Sequence, residues 1–133
     1  MPKTNHELTE GEWAIMQAVW ENQPCAAPTV QELLLKQKGW HYSTVKTLMD
    51  RMAAKGLLTT EKIRNLTLYH AAVTKRQAQR GEIMRAVKRA FDGALTPMMQ
   101  FLVETNQLSQ EQLRELELLI RRKRSRAQSA RRK

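Results

Sequence analysis

The chain has 133 residues, 41% of them hydrophobic and 5% aromatic, with 23 Lys and Arg against 13 Asp and Glu for a formal net charge of +10. That length suits one domain or one small domain with an appendage, and the apolar fraction argues against a disordered chain. No apolar run approaches the roughly 18 residues of a membrane span, and Met1-Pro2-Lys3-Thr4-Asn5-His6 lacks the apolar segment of a signal peptide, so a cytoplasmic protein without membrane insertion is expected.

Leu8-Thr9-Glu10-Gly11-Glu12-Trp13 reads as a helix start, with Thr9 and Glu12 as a capping box and Leu8 stapling onto Trp13. The first helix should run from about Glu10 to Glu21, with Trp13, Met16, Val19 and Trp20 at helical spacing and Asn22-Gln23-Pro24 as its stop. Thr29 with Glu32 repeats the capping box and predicts a short second helix that turns Val30, Leu33 and Leu34 inward and closes at Gly39. A third helix should begin with Ser43 as N-cap and end at Gly56. In it Val45, Leu48, Met49, Met52 and Ala53 form one buried stripe, which leaves Thr44, Lys46, Thr47, Asp50, Arg51 and Ala54 on the opposite face.

The period then changes from 3.6 to 2. Residues 57–63 and 67–73 are short runs rich in Thr and apolar residues, separated by Arg64-Asn65-Leu66, and predict a β-hairpin with the positive φ of its tip on Asn65. Thr74 with Gln77 opens a long fourth helix to about Asp92, carrying Ile83, Met84, Val87, Ala90 and Phe91, with Gly93 as its stop. Thr96-Pro97 starts a short fifth helix with Met98, Phe101 and Leu102 on one side. Leu108-Ser109-Gln110-Glu111-Gln112-Leu113 repeats cap and staple before a sixth helix with Leu113, Leu116, Leu119 and Ile120.

The charge is unevenly placed. Residues 1–73 hold 8 basic and 7 acidic side chains, residues 74–120 hold 7 and 6, and residues 121–133 hold 8 and none. A run of like charge without apolar residues does not pack, so a disordered basic tail is expected over 125–133, serving either as a solubilising segment or as a nonspecific attraction for nucleic acid. The expected organisation is a DNA-binding domain over 1–73, a helical dimerisation domain over 74–124, and the tail.

Three helices followed by a two-stranded hairpin, with a polar third helix and a basic hairpin tip, is the order of a winged helix-turn-helix domain, and the whole reads as mainly α with a small β-hairpin. A helix of this kind fits the major groove, where side chains meet base edges, while the hairpin tip lies along the backbone. Thr44, Lys46 and Thr47 are the candidate base readers, with Lys46 the candidate for guanine. Ser43, Arg51, Lys62 and Arg64 are the candidate backbone contacts, although Arg51 has an alternative in pairing with Asp50 or Glu61. The apolar faces after residue 73 exceed what a domain ending there covers. Phe91, Met98, Phe101, Leu102, Leu113, Leu116 and Ile120 therefore mark a homodimer surface, which also suits two half-sites about one helical turn apart.

Leu8-Thr9-Glu10-Gly11-Glu12-Trp13-Ala14-Ile15-Met16 with Val19-Trp20, then residues 40–52 (Trp40-His41-Tyr42-Ser43-Thr44-Val45-Lys46-Thr47 onward) and Lys55-Gly56-Leu57-Leu58, resemble the penicillinase-repressor (BlaI/MecI) family of bacterial transcriptional regulators over about residues 8–120. The resemblance implies a dimeric winged-helix repressor on a palindromic double-stranded DNA operator, relieved through a membrane sensor protease or a metal, often in a resistance or stress operon. It puts Thr44 and Lys46 where such repressors contact bases. Aligned on Leu108-Ser109-Gln110, Phe101-Leu102 stands where penicillin-responsive members carry an Asn-Phe cleavage bond, and the cysteine cluster of copper-responsive members has no counterpart here.

The single cysteine, Cys25, rules out an internal disulfide, and His6, His41 and His70 are scattered without acidic partners at metal-site spacing, so neither a metal nor another cofactor is expected. No nucleophile motif, glycine-rich phosphate loop or carboxylate pair argues for an enzyme. The competing reading is a winged-helix protein-protein interaction module whose basic tail serves an acidic partner.

Overall fold

Thr9 opens the first helix as its sequence indicates. Its hydroxyl accepts from the Glu12 N–H at 3.2 Å while the Glu12 carboxylate accepts from the Thr9 N–H at 2.9 Å, and α1 runs Glu10–Asn22 in the computed structural model, which describes residues 7–131. Helix α2, Ala27–Lys38, starts earlier than the Thr29–Glu32 box implies: Ala26 is the N-cap, no side chain caps, and Thr29 is already helical. Pro28 sets this start, because its fixed φ and missing N–H suit a first turn, where amides have no helical partner. The inward row is Ala27, Val30 and Leu34; Leu33, about a quarter-turn away, is exposed rather than inward. Gly39 ends α2 in the left-handed conformation at φ 64°.

Helix α3, Tyr42–Ala54, also starts early, with His41 rather than Ser43 as N-cap. The His41 carbonyl accepts from the Thr44 and Val45 amides at 3.1 and 3.2 Å, and no side chain caps the first turn. Val45, Met49 and Met52 are fully buried, with Leu48 and Ala53 packed against the same core. At the far end Gly56 (φ 87°) closes a Schellman motif, its N–H on Ala53 and that of Leu57 on Met52. Strands β1, Leu58–Ile63, and β2, Leu66–Ala71, pair antiparallel from Leu58↔Ala71 to Ile63↔Leu66. Because Leu66 pairs with Ile63, the turn contracts to Arg64-Asn65, and the positive φ falls on Arg64 (60°), not on Asn65. A two-residue turn needs positive φ at its first central position to follow the twist of its strands.

These elements close over one core of Ile15, Met16, Val19, Val30, Leu34, Val45, Met49, Met52, Leu57, Leu58 and Tyr69. Trp20 donates its indole N–H to the Val73 carbonyl at 2.9 Å, which pins the end of the hairpin to α1. The order α1-α2-α3-β1-β2 is that of a winged helix-turn-helix domain, with α3 as the second helix of the motif and the hairpin as its wing.

Helix α4, Lys75–Phe91, opens on the reciprocal Thr74–Gln77 box at 2.9 and 3.0 Å. The chain divides into units Met1–Ala86 and Val87–Lys133, within α4 and later than the boundary expected after residue 73. Ala78, in the first turns of α4, belongs to the core of the first unit, so the hairpin does not end that unit. In the second unit α5 spans Leu95–Glu104, one residue earlier than Thr96-Pro97 suggests, and α6 spans Gln110–Arg131 from a reciprocal Ser109–Gln112 box. Over residues 125–131, where a disordered tail is expected, α6 continues as a helix with every side chain exposed. Arg, Gln and Ala are good helix formers, and cations at a helix C-terminus are favoured by the macrodipole, so the run needs no packing to stay helical. Met1–His6, including His6, and Arg132 and Lys133 lie outside the described residues.

Candidate nucleic-acid interface

The outward side of α3 carries two groups of residues with different surroundings. Ser43, Thr44, Thr47 and Arg51 line one open cleft together with Leu48. All four polar residues are exposed, and among the described residues their side chains have no hydrogen-bond or ion-pair partner. The alternative pairing of Arg51 is therefore not formed: Asp50 is taken by Lys46 and Tyr69, and Glu61 by His70 at 3.1 Å. These are short or guanidinium donors at helical spacing on an element whose other stripe is buried, an arrangement able to meet base edges and phosphates.

Lys46 belongs to the other group. Its Nζ donates to Tyr69 Oη at 2.8 Å and to Asp50 Oδ1 at 3.0 Å, and Tyr69 Oη donates in turn to Asp50 Oδ1 at 2.7 Å. The hydroxyl of Tyr69, and then Asp50, raise the Lys46 pKa; the same hydroxyl, with Lys46, holds the Asp50 carboxyl below its ordinary value, and burial pushes the Tyr69 phenol up. At neutral pH the triangle thus contains an ammonium, a carboxylate and a neutral phenol that accepts from one and donates to the other. The spacing of Lys46 and Asp50, four apart on a helix, is visible in the sequence. What sequence reasoning missed is Tyr69, which the alternation of β2 turns inward onto α3; its main chain also pairs with Cys25 in both directions, at 2.8 and 3.2 Å.

At the wing, Lys62 and Arg64 are exposed, Arg64 at the turn itself. Ile63 and Leu66, on either side of that turn, are also exposed and give the tip an apolar shoulder. His41 caps α3 through its carbonyl only, and His70 pairs with Glu61; among the described residues no group of three His, Cys, Asp or Glu is placed to hold a metal. No helix of the described residues is long and apolar enough to cross a membrane.

A second ion pair sets the attitude of α3. Glu12, 6% exposed on α1, accepts from Lys55 Nζ at 2.7 Å, and Lys55 is the C-cap of α3. Burial raises the Glu12 pKa, but the bonds from Lys55 and Thr9 outweigh it and the net shift is downward. In the second unit, of the residues expected at a dimer surface, Phe101 and Ile120 are exposed, whereas Phe91, Met98, Leu102, Leu113 and Leu116 are half-buried. Phe91 and Phe101 stack at a tilt, 6.2 Å apart. Val87 is the one buried residue among the described residues of that unit; α5 and α6 bury none.

Residues 8–122 match the family model described as penicillinase repressor. The methicillin resistance regulatory protein MecI of Staphylococcus aureus (strain N315) is 24% identical over 123 residues, 92% of this chain and 100% of the relative. The penicillinase repressor of Bacillus licheniformis is 24% identical over 110 residues, 83% of this chain and 86% of that protein. Among solved structures, the DNA-binding domain of the repressor BlaI is similar with a TM-score of 0.50 at 22% identity, covering 58% of this chain and 93% of that one, a likeness of fold.

Proposed function

Because the chain belongs to the penicillinase-repressor family of DNA-binding transcriptional regulators, we propose that it represses transcription as a homodimer seated on a palindromic operator, with α3 of each copy in the major groove. The observation that carries this reading is the exposed row Ser43, Thr44, Thr47 and Arg51, without partners among the described residues, on a helix whose opposite stripe is buried. Thr44 and Thr47 read base edges directly, Ser43 and Arg51 hold the flanking phosphates, and Lys62 and Arg64 place the wing on the backbone. Lys46 is the third base reader, engaged on leaving its present partners. The basic end of α6 adds sequence-independent attraction.

The second copy covers the apolar faces of α5 and α6, which fully bury no residue among those described and expose Leu95, Phe101, Val103, Leu118, Leu119 and Ile120. Two-fold symmetry then matches the two halves of a palindrome. A DNA partner implies a cytoplasmic location, and the family relationship suggests a membrane sensor protease as the upstream signal in a resistance or stress operon.

Selection from a randomised duplex library tests the reading. The expected product is an inverted repeat whose half-sites lie about one helical turn apart. Thr44→Ala/Thr47→Ala is expected to cost about 1–3 kcal/mol of discrimination for each base no longer read. Recovery of no preferred sequence, with binding only to a protein partner, would favour an interaction module and overturn the proposal.

A further inference from the structure

The Lys46–Asp50–Tyr69 triangle is built more firmly than an exposed helix pair needs to be. Tyr69 is 0% exposed, and its main chain is bonded in both directions to Cys25 in the connection between α1 and α2. Its hydroxyl therefore emerges at a fixed point beside α3, with one oxygen that both receives the Lys46 ammonium and donates to Asp50. Lys46 Nζ also lies 5.5 Å from the centre of the phenol ring. Among the polar residues on the outward side of α3, only Lys46 and Asp50 are engaged in this way; Ser43, Thr44, Thr47 and Arg51 are not.

A lysine on a flexible four-carbon stem at a DNA-facing surface pairs with any phosphate within reach, and such contacts carry no sequence information. Specificity is a difference of affinities, so withholding that lysine from ordinary duplex raises it. Lys46 gives up two oxygen acceptors on leaving the triangle, and a guanine edge offers two adjacent acceptors, N7 and O6, in their place. Resting on the DNA-binding reading above, we propose that Asp50 is a specificity-determining residue that acts through Lys46. With Tyr69 it holds the ammonium away from generic phosphate contacts, and Lys46 joins the interface only where a base edge replaces both of its partners.

The experiment uses the full chain, the duplex that the wild-type protein selects from a randomised library, and a scrambled duplex of the same composition, each titrated at several salt concentrations. Asp50→Asn is isosteric at an exposed position and keeps the fold. It is expected to lower discrimination about two- to fivefold, the size of an exposed hydrogen-bonded ion pair, mainly by tightening the scrambled complex. The salt slope on scrambled DNA should steepen by about 0.9 as one more phosphate is met. Tyr69→Phe leaves the charges unchanged and should move both quantities the same way by less.

A general loss of negative charge would tighten DNA whether or not Lys46 is present, so the deciding measurement is Asp50→Asn in a Lys46→Ala background. There it should leave discrimination unchanged. An equal fall with and without Lys46, or an unchanged ratio for Asp50→Asn alone in a protein that does discriminate, overturns this inference and leaves the repressor reading standing. A wild-type protein with no duplex preference overturns both.

Discussion

Replacing Lys55 with alanine isolates the tie that fixes α3 on α1. The substitution leaves the Glu12 carboxylate where it is, 6% exposed and still accepting from the Thr9 N–H, but removes the ammonium 2.7 Å from its second oxygen. A hydrogen bond to a charged group contributes about 1.5–3 kcal/mol, and because Lys55 is itself 46% exposed, water replaces part of it. The expected loss is about 1–2 kcal/mol, which for a unit of this size lowers the thermal midpoint by about 4–16 °C. The loss also depends on pH. The native pKa of Glu12 lies below its ordinary 4.5, so its contribution is fully present above that value and disappears as pH falls through the lowered native pKa. Without Lys55 only the bonds from Thr9 oppose the burial of Glu12 and the native pKa rises, so the two proteins converge in acid. Thermal unfolding of both at one protein concentration, near pH 7 and near pH 3, checks this. A deficit that is the same at both pH values would show that the alanine costs stability through something other than the ion pair.

Arg64→Ala at the wing tip should weaken selected and scrambled duplexes alike and lower the salt slope by about 0.9, read from titrations at several salt concentrations; a change confined to one duplex would make Arg64 a sequence reader. A chain ending at Ala86 keeps Ala78 in the core and lacks the exposed faces of α5 and α6, so it should fold and sediment as a monomer at micromolar concentration. A dimer there would place the interface in the first unit. Removing residues 125–133 takes away only exposed side chains among those described and should leave the thermal midpoint nearly unchanged, while affinity for scrambled DNA falls and its salt slope drops by up to about 0.9 for each phosphate no longer met. Loss of operator preference in that protein would make the basic end of α6 a reader of sequence.

Local rules legible in the residues carry most of the architecture. The boxes Thr9–Glu12, Thr74–Gln77 and Ser109–Gln112 form as written, since each needs only neighbours three apart, and Gly39, Gly56 and Gly93 stand at positive φ where their helices end. The stripe Val45, Met49, Met52 fixes which side of α3 faces out, and with it the row Thr44, Thr47 and Arg51. Where two local signals compete, the sequence reading goes astray. Pro28 displaces Thr29 at the start of α2, and the pairing of Ile63 with Leu66 moves the positive φ onto Arg64. The basic end of α6 stays helical because propensity and the macrodipole need no core, which a rule based on charge repulsion alone leaves out.

Sequence by itself thus determined the kind and order of the elements and the outward face of α3, because these follow from periodicity and caps within a few residues. Tertiary structure decided the state of each side chain on that face. The sequence offers Lys46 as a base reader and an ion pair for Arg51, yet Lys46 is bound to a phenol 23 residues away and Arg51 has no partner among the described residues. That difference, like the bond from Lys55 to a carboxylate 43 residues away, arises only when strand and helices close on a common core and bring distant polar atoms within hydrogen-bond reach.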